Sequence, residues 1–106
     1  MISEDRLQKA LVYLAENDER AAELLTMAER LEFKAKVIRD TVFLHEDGTV
    51  AERSAKAGTH KDYTLAMDAY FTAVRESQHI KNKRSTENIV IDVWRSENSS
   101  RNKGNL

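Results

Sequence analysis

Proline is absent from this chain, and its only glycines are Gly48, Gly58 and Gly104. Proline removes a backbone donor and glycine carries the highest helix cost of the remaining residues, so no other position offers a backbone reason to end a helix. Two uninterrupted stretches follow, 1–47 and 59–103, joined by a segment that Gly48 and Gly58 frame. With 106 residues the chain is expected to form one domain, because two independent cores would each be too small to hold.

Hydrophobic spacing points the same way. Leu7, Ala10, Leu14, Asn17, Ala21, Leu24, Ala28, Leu31, Ala35, Ile38, Val42 and His45 follow one another at alternating intervals of three and four, the heptad seam of a coiled coil. The register passes through Asn17 and Asp18 without a slip, which predicts a single helix over 4–46 capped by Ser3. A break at Asn17 is the alternative, since Asn and Asp cap helices well.

Thr49-Val50-Ala51-Glu52 has the form of a capping box and predicts a short helix over 50–57, with Gly58 as its left-handed C-terminal cap. Thr59, with Asp62 three residues on, then starts a helix over 60–98. Its seam is Tyr63, Ala66, Tyr70, Ala73, Ser77, Ile80, Arg84, Glu87, Ile91 and Trp94. The polar run 81–88 and the β-branched run 89–94 also admit a break followed by a strand. A lone strand finds no partner in this chain, so helix is the reading. Residues 99–106 read as a flexible tail.

The fold class is therefore all-α: a long antiparallel helical hairpin with a short connecting helix. Folding back about the central glycines is expected to set Ile91 and Trp94 beside Leu14 and Asn17, and Tyr63 and Tyr70 near His45 and Ile38. Residues 1–53 carry eight positive and twelve negative charges and residues 54–106 nine and six. At a polar waist, Glu16, Asp18, Glu19 and Glu23 would then meet Arg75, Lys81, Lys83 and Arg84. Such exposed pairs select a register more than they stabilise it.

Two helices with apolar side chains on more than one face cannot enclose a core. Leu7, Leu11, Val12, Leu14, Phe33, Val90 and Trp94 are accordingly the expected oligomer or partner contacts, with Trp94 the preferred anchor. Assembly of two chains into a four-helix bundle is expected, along with an unidentified protein partner.

Composition bears mainly on what the chain does not do. A net charge of −1 removes any argument from a strongly basic or acidic chain, and zero cysteines exclude disulfides and a thiol nucleophile. The amino end lacks a signal-peptide pattern, and no stretch approaches the roughly 18 apolar residues of a membrane span, so a cytoplasmic protein without membrane contact is expected. Glu76-Ser77-Gln78-His79 has the spacing of a di-iron ligand pair but occurs once, and Glu29 and Glu32 lie off the seam. His45 is expected to favour the dipole at its helix C-terminus, and His60 to be solvated. No nucleophile–histidine–acid spacing and no glycine-rich phosphate loop is present, so neither catalysis, metal nor cofactor is expected. The rival to a protein-binding role is nucleic-acid contact through Lys81, Lys83, Arg84, Arg95, Arg101 and Lys103. Glu87, Asp92 and Glu97 interrupt that set, and no aromatic residues interleave it for base stacking.

The stretches Glu29-Arg30-Leu31-Glu32-Phe33-Lys34-Ala35-Lys36, Gly48-Thr49-Val50-Ala51-Glu52-Arg53 and Val90-Ile91-Asp92-Val93-Trp94-Arg95 resemble small helical proteins of bacteriophages and prophages. That resemblance implies an accessory to replication, recombination or host takeover that acts by binding a larger protein. It transfers no site residue.

Overall fold

Three helices follow one another: α1 (Glu4–His45), α2 (Val50–Thr59) and α3 (Lys61–Gly104). The computed structural model describes the backbone of residues 1–104 and the side chains of residues 1–101. Among these residues no strand occurs; both the polar run 81–88 and the β-branched run 89–94 are helical.

Each helix boundary has a local cause. Ser3 Oγ accepts the Arg6 N–H at 3.0 Å and the Ser3 carbonyl accepts that of Leu7, which satisfies donors that the first turn of α1 would otherwise leave unpaired. Glu4 and Asp5 sit where the helix dipole favours negative charge. Asn17 does not interrupt α1. At the other end His45 donates from Nδ1 to the Thr41 carbonyl, 2.8 Å away, in the last turn. Thr49 caps α2, its hydroxyl accepting the Glu52 N–H at 3.2 Å.

The two central glycines play different parts from those expected. Gly48 alone among the described residues has a positive φ, 115°, whereas Gly58 lies inside α2 with ordinary helical backbone. The left-handed cap expected at Gly58 is therefore replaced by an extended residue, His60, with φ −63° and ψ 138°. Thr59 does not start α3 either. It ends α2, its hydroxyl donating to the Ala55 carbonyl, and His60 Nδ1 takes the capping role by accepting the Asp62 N–H at 3.1 Å. At the far end, α3 continues past the expected stop at residue 98 as far as Gly104, so the tail expected from residue 99 is helical up to that point. The last two residues of that expected tail lie outside the described residues.

These conformations give opposite substitution effects. Alanine at Gly48 would hold an L residue at φ 115°, with its Cβ 2.5 Å from Glu52 Oε2, and is expected to lower stability by about 1 kcal/mol or more. Alanine at Gly58 meets no atom within 4 Å and removes a helix-interior glycine, so a gain of about 0.5–1 kcal/mol is expected. Thermal denaturation followed by circular dichroism checks both; a loss of stability on substituting Gly58 would point back to a left-handed cap there.

The chain divides into two units, Glu23–Ser77 and a second formed by Met1–Ala22 with α3 from Gln78 onward. In each, a stretch of α1 pairs antiparallel with a stretch of α3, giving a helical hairpin. Within Glu23–Ser77, Arg39 lies over the Tyr63 ring at 5.7 Å, and Tyr70 lies near enough to Glu32 for that carboxylate to act on its hydroxyl. Within the other unit the Ile2 N–H donates to Glu97, Arg6 binds Glu87, Lys83 lies over the Tyr13 ring, and Arg84 reaches Asn17 and Asp18. In both, partner numbers rise along α1 as they fall along α3, as an antiparallel pair requires.

The register of that pairing departs from expectation by about two helical turns. Arg84, not Ile91 or Trp94, stands beside Leu14 and Asn17, and Tyr63 stands at Arg39 instead of His45. The cause lies in the connector. Arg53 of α2 donates to the Phe43 carbonyl and stacks over the Phe43 ring at 4.3 Å, while Lys56 donates to the Asp47 carbonyl. These contacts lay α2 back along the end of α1, so α3 begins well below the last turn it was expected to face.

Both expected seams coincide with the interface. Every seam residue named above is buried or half-buried except His45. What fills the interface is small: the buried apolar residues are Ala10, Ala28, Ala35, Ala57 and Ala73 with Leu24 and Ile91, and no large side chain is fully buried. Alanines let helix backbones approach closely but remove little apolar area from water, so the packing is tight and its hydrophobic gain modest.

Candidate functional site

The residues singled out for partner contact separate into three environments. Leu7 and Leu14 are half-buried in the seam and belong to the intramolecular interface. Leu11, Val12 and Phe33 are exposed, Phe33 by 69%. Val90 and Trp94 are half-buried, and Trp94 lines an open groove of about 330 Å³ with Met1, Ile2, Ser3, Glu97 and Arg101. Two polar groups of that groove are already engaged: Glu97 accepts the Ile2 N–H at 2.9 Å, and Arg101 lies 3.9 Å from Met1 Sδ.

A second groove, of about 250 Å³, runs between α1 and α3 in the Glu23–Ser77 unit. Leu31 and Lys34 line it from α1, and Asp62, Leu65, Ala66 and Ala69 from α3. Ala66 and Ala69 are too short to fill the space beside Leu31, which is why the surface is concave there. Leu65 is 56% exposed.

Sequence reasoning missed Leu25, Met27 and Leu65, all exposed apolar residues. Each directly flanks a seam residue, Leu24, Ala28 or Ala66. An apolar side chain beside a seam alanine is the available signal at the last two, because a small seam residue cannot shield its neighbour.

The seam of the unit that joins Met1–Ala22 to α3 from Gln78 onward carries polar pairs among its apolar residues. Arg6 grips Glu87 through two hydrogen bonds, 2.7 and 2.8 Å, in the two-pronged geometry that suits guanidinium and carboxylate. Glu87 is only 8% exposed. The hydrogen bonds from Arg6 hold its carboxyl below the usual range; burial opposes that shift, and the charges of Arg6 and Lys83 reinforce it. The Arg6 guanidinium is correspondingly raised by its hydrogen bonds to Glu87. Two turns of α1 further on, Arg84 donates to the Leu14 carbonyl at 2.9 Å, to Asn17 Oδ1, and to Asp18 at 3.1 Å. Of the expected waist, this Arg84–Asp18 pair forms. In the other unit, burial pushes the Tyr70 hydroxyl up, aided by the nearby charge of Glu32.

The basic residues do not line one stripe. Arg84 is committed to α1, Lys83 covers Tyr13, Arg95 lies 3.9 Å from Asp92, and Arg101 contacts Met1. Lys81 is exposed. The side chain of Lys103 lies outside the described residues. Glu76 and His79 are both exposed, and among the described residues no three His, Asp or Glu side chains converge as a metal site. No helix among them is long and apolar enough to cross a membrane.

Comparison with protein-family models, with curated proteins and with solved structures finds no match to this chain.

Proposed function

We propose that this protein is a non-enzymatic helical interaction module of the phage-accessory type, which self-associates and presents its apolar flanks to a protein partner. The observation that carries this reading is the imbalance between its seam and its surface. The seam buries mainly alanine, while Leu11, Val12, Leu25, Phe33, Val37 and Leu44 are among the large apolar side chains left exposed. Isolated exposed apolar residues need no explanation, but on a hairpin whose fully buried interface is mostly alanine they leave hydrophobic free energy that the fold has not used. Covering them with a second copy recovers that energy, and a closed homodimer is the commonest way proteins do so.

The nucleic-acid reading draws no comparable support, because its central cations, Lys83 and Arg84, are turned onto α1. Sedimentation equilibrium at micromolar concentrations tests the proposal. A mass twice that of one chain is expected, and a mass of one chain throughout would overturn the self-association on which the reading stands.

A further inference from the structure

We propose that the second copy docks on the groove between α1 and α3 of the Glu23–Ser77 unit, with Lys34 of each copy paired to Asp62 of the other. This inference rests on the self-association proposed above and adds the face through which it occurs.

Three features of the groove favour a copy of the same chain. Its charges are arranged for one: Lys34 stands on the α1 wall and Asp62 on the α3 wall, with no ion pair joining them within the chain. Lys34 has no ion-pair partner among the described residues, and Asp62 has only the edge of His60, 3.9 Å away. A two-fold interface requires a patch in which residue i meets j and j meets i, and opposite charges on opposite walls satisfy that condition.

The apolar content is also of the right extent. By helical spacing Met27, Val37 and Leu44 share the Lys34 side of α1, and they are exposed by 44%, 46% and 71%. Leu65 adds a fourth aliphatic side chain, on α3. A standard interface covers about 800 Å² of each partner, a little over half of it apolar, and four such side chains with the groove lining are on the order of that apolar share. Finally, the short Ala66 and Ala69 leave a concave floor that a protruding leucine from the facing copy can fill. The Trp94 groove is less suited, since Glu97, one of its two carboxylates, is already bound within the chain.

The test is a charge exchange read by sedimentation equilibrium, with far-UV circular dichroism confirming that each variant is helical. In a homodimer, Lys34→Glu sets a carboxylate against Asp62 at both symmetry-related contacts, and Asp62→Lys sets an ammonium against Lys34 at both. Each single variant is expected to weaken self-association about tenfold or more, because like charges then face each other across the interface. Mixing the two variants in equal amounts gives heterodimers in which the introduced carboxylate meets the introduced ammonium and the native Asp62 meets the native Lys34, and combining both changes in one chain likewise restores opposite pairs throughout. The combined variant and the equal mixture are therefore both expected to dimerise as the parent does, while each single variant alone stays weak. If the wild type dimerises and the single variants dimerise as tightly, this face is wrong while the self-association reading stands. A wild type that remains monomeric overturns both.

Discussion

Ala35→Glu is expected to destabilise the protein by about 3–5 kcal/mol, the cost of a buried charge with no partner. Ala35 is 1% exposed, on the seam of α1 within Glu23–Ser77, where a longer side chain has no room and a carboxylate no water. A single domain of this size holds roughly 5–15 kcal/mol in total, so much of the helical signal should be lost at or below the temperature where the parent is fully folded. Ala15→Glu is the control. It adds the same side chain and charge to the same helix at an exposed position, and is expected to change stability by no more than about 0.5 kcal/mol. Melting curves of the two variants side by side separate loss of the seam from loss of helix propensity. Equal melting temperatures would mean that the alanine seam is not what holds the helices together.

That seam is legible without coordinates, because an unbroken alternation of three and four places one face of each helix against a partner. Even Arg84 and Glu87, which composition alone would put in solvent, belong to it by spacing, and both lie at the interface. The register is not legible. A heptad pattern matches itself after every seven residues, so apolar spacing alone accepts several alignments that differ by whole turns. Specific polar contacts choose among them. Arg84 on Asn17, Arg6 on Glu87 and Arg53 on the Phe43 carbonyl are such contacts, and each joins residues whose sequence neighbourhoods give no sign of the other.

Boundaries fail for a related reason. A glycine can end a helix or simply occupy one, and at Gly58 the residues Thr59 and His60 decide the outcome by bonding to Ala55 and Asp62. Likewise Ser99, Ser100 and Asn102 lower helix propensity without breaking the backbone pattern, and α3 runs on through them. On the candidate site, spacing identifies that apolar flanks remain and several of their members. It also puts Leu7 and Leu14 on the seam, where the hairpin uses them, but it does not show that two alanines open a groove beside Leu65.

Among the register-setting contacts, the Arg6–Glu87 pair has the largest expected effect on stability. Glu87→Gln keeps the shape but removes the charge that accepts both guanidinium hydrogen bonds, and is expected to cost about 1–3 kcal/mol. Arg6→Met leaves Glu87 in the seam without its partner and is expected to lower the melting temperature more than loss of the exposed Lys9–Asp5 pair, which contributes tenths of a kcal/mol at most. The pH dependence has a fixed sign. Because Arg6 depresses the folded-state ionisation of Glu87, the pair contributes fully above the unfolded carboxylate value of about 4.3 and is lost as pH falls through the lower, folded value. Parent stability should therefore fall with acid below that point. In Arg6→Met the hydrogen bonds are gone while burial remains, so the decline tied to Glu87 should shrink or reverse. The double variant Arg6→Met with Glu87→Leu is expected to regain most of what Arg6→Met loses, since an apolar pair of similar size avoids the desolvation that the ion pair must offset. If it does, the charged pair is kept for alignment, and apolar residues at both positions would leave the seam better packed but able to slide by a heptad.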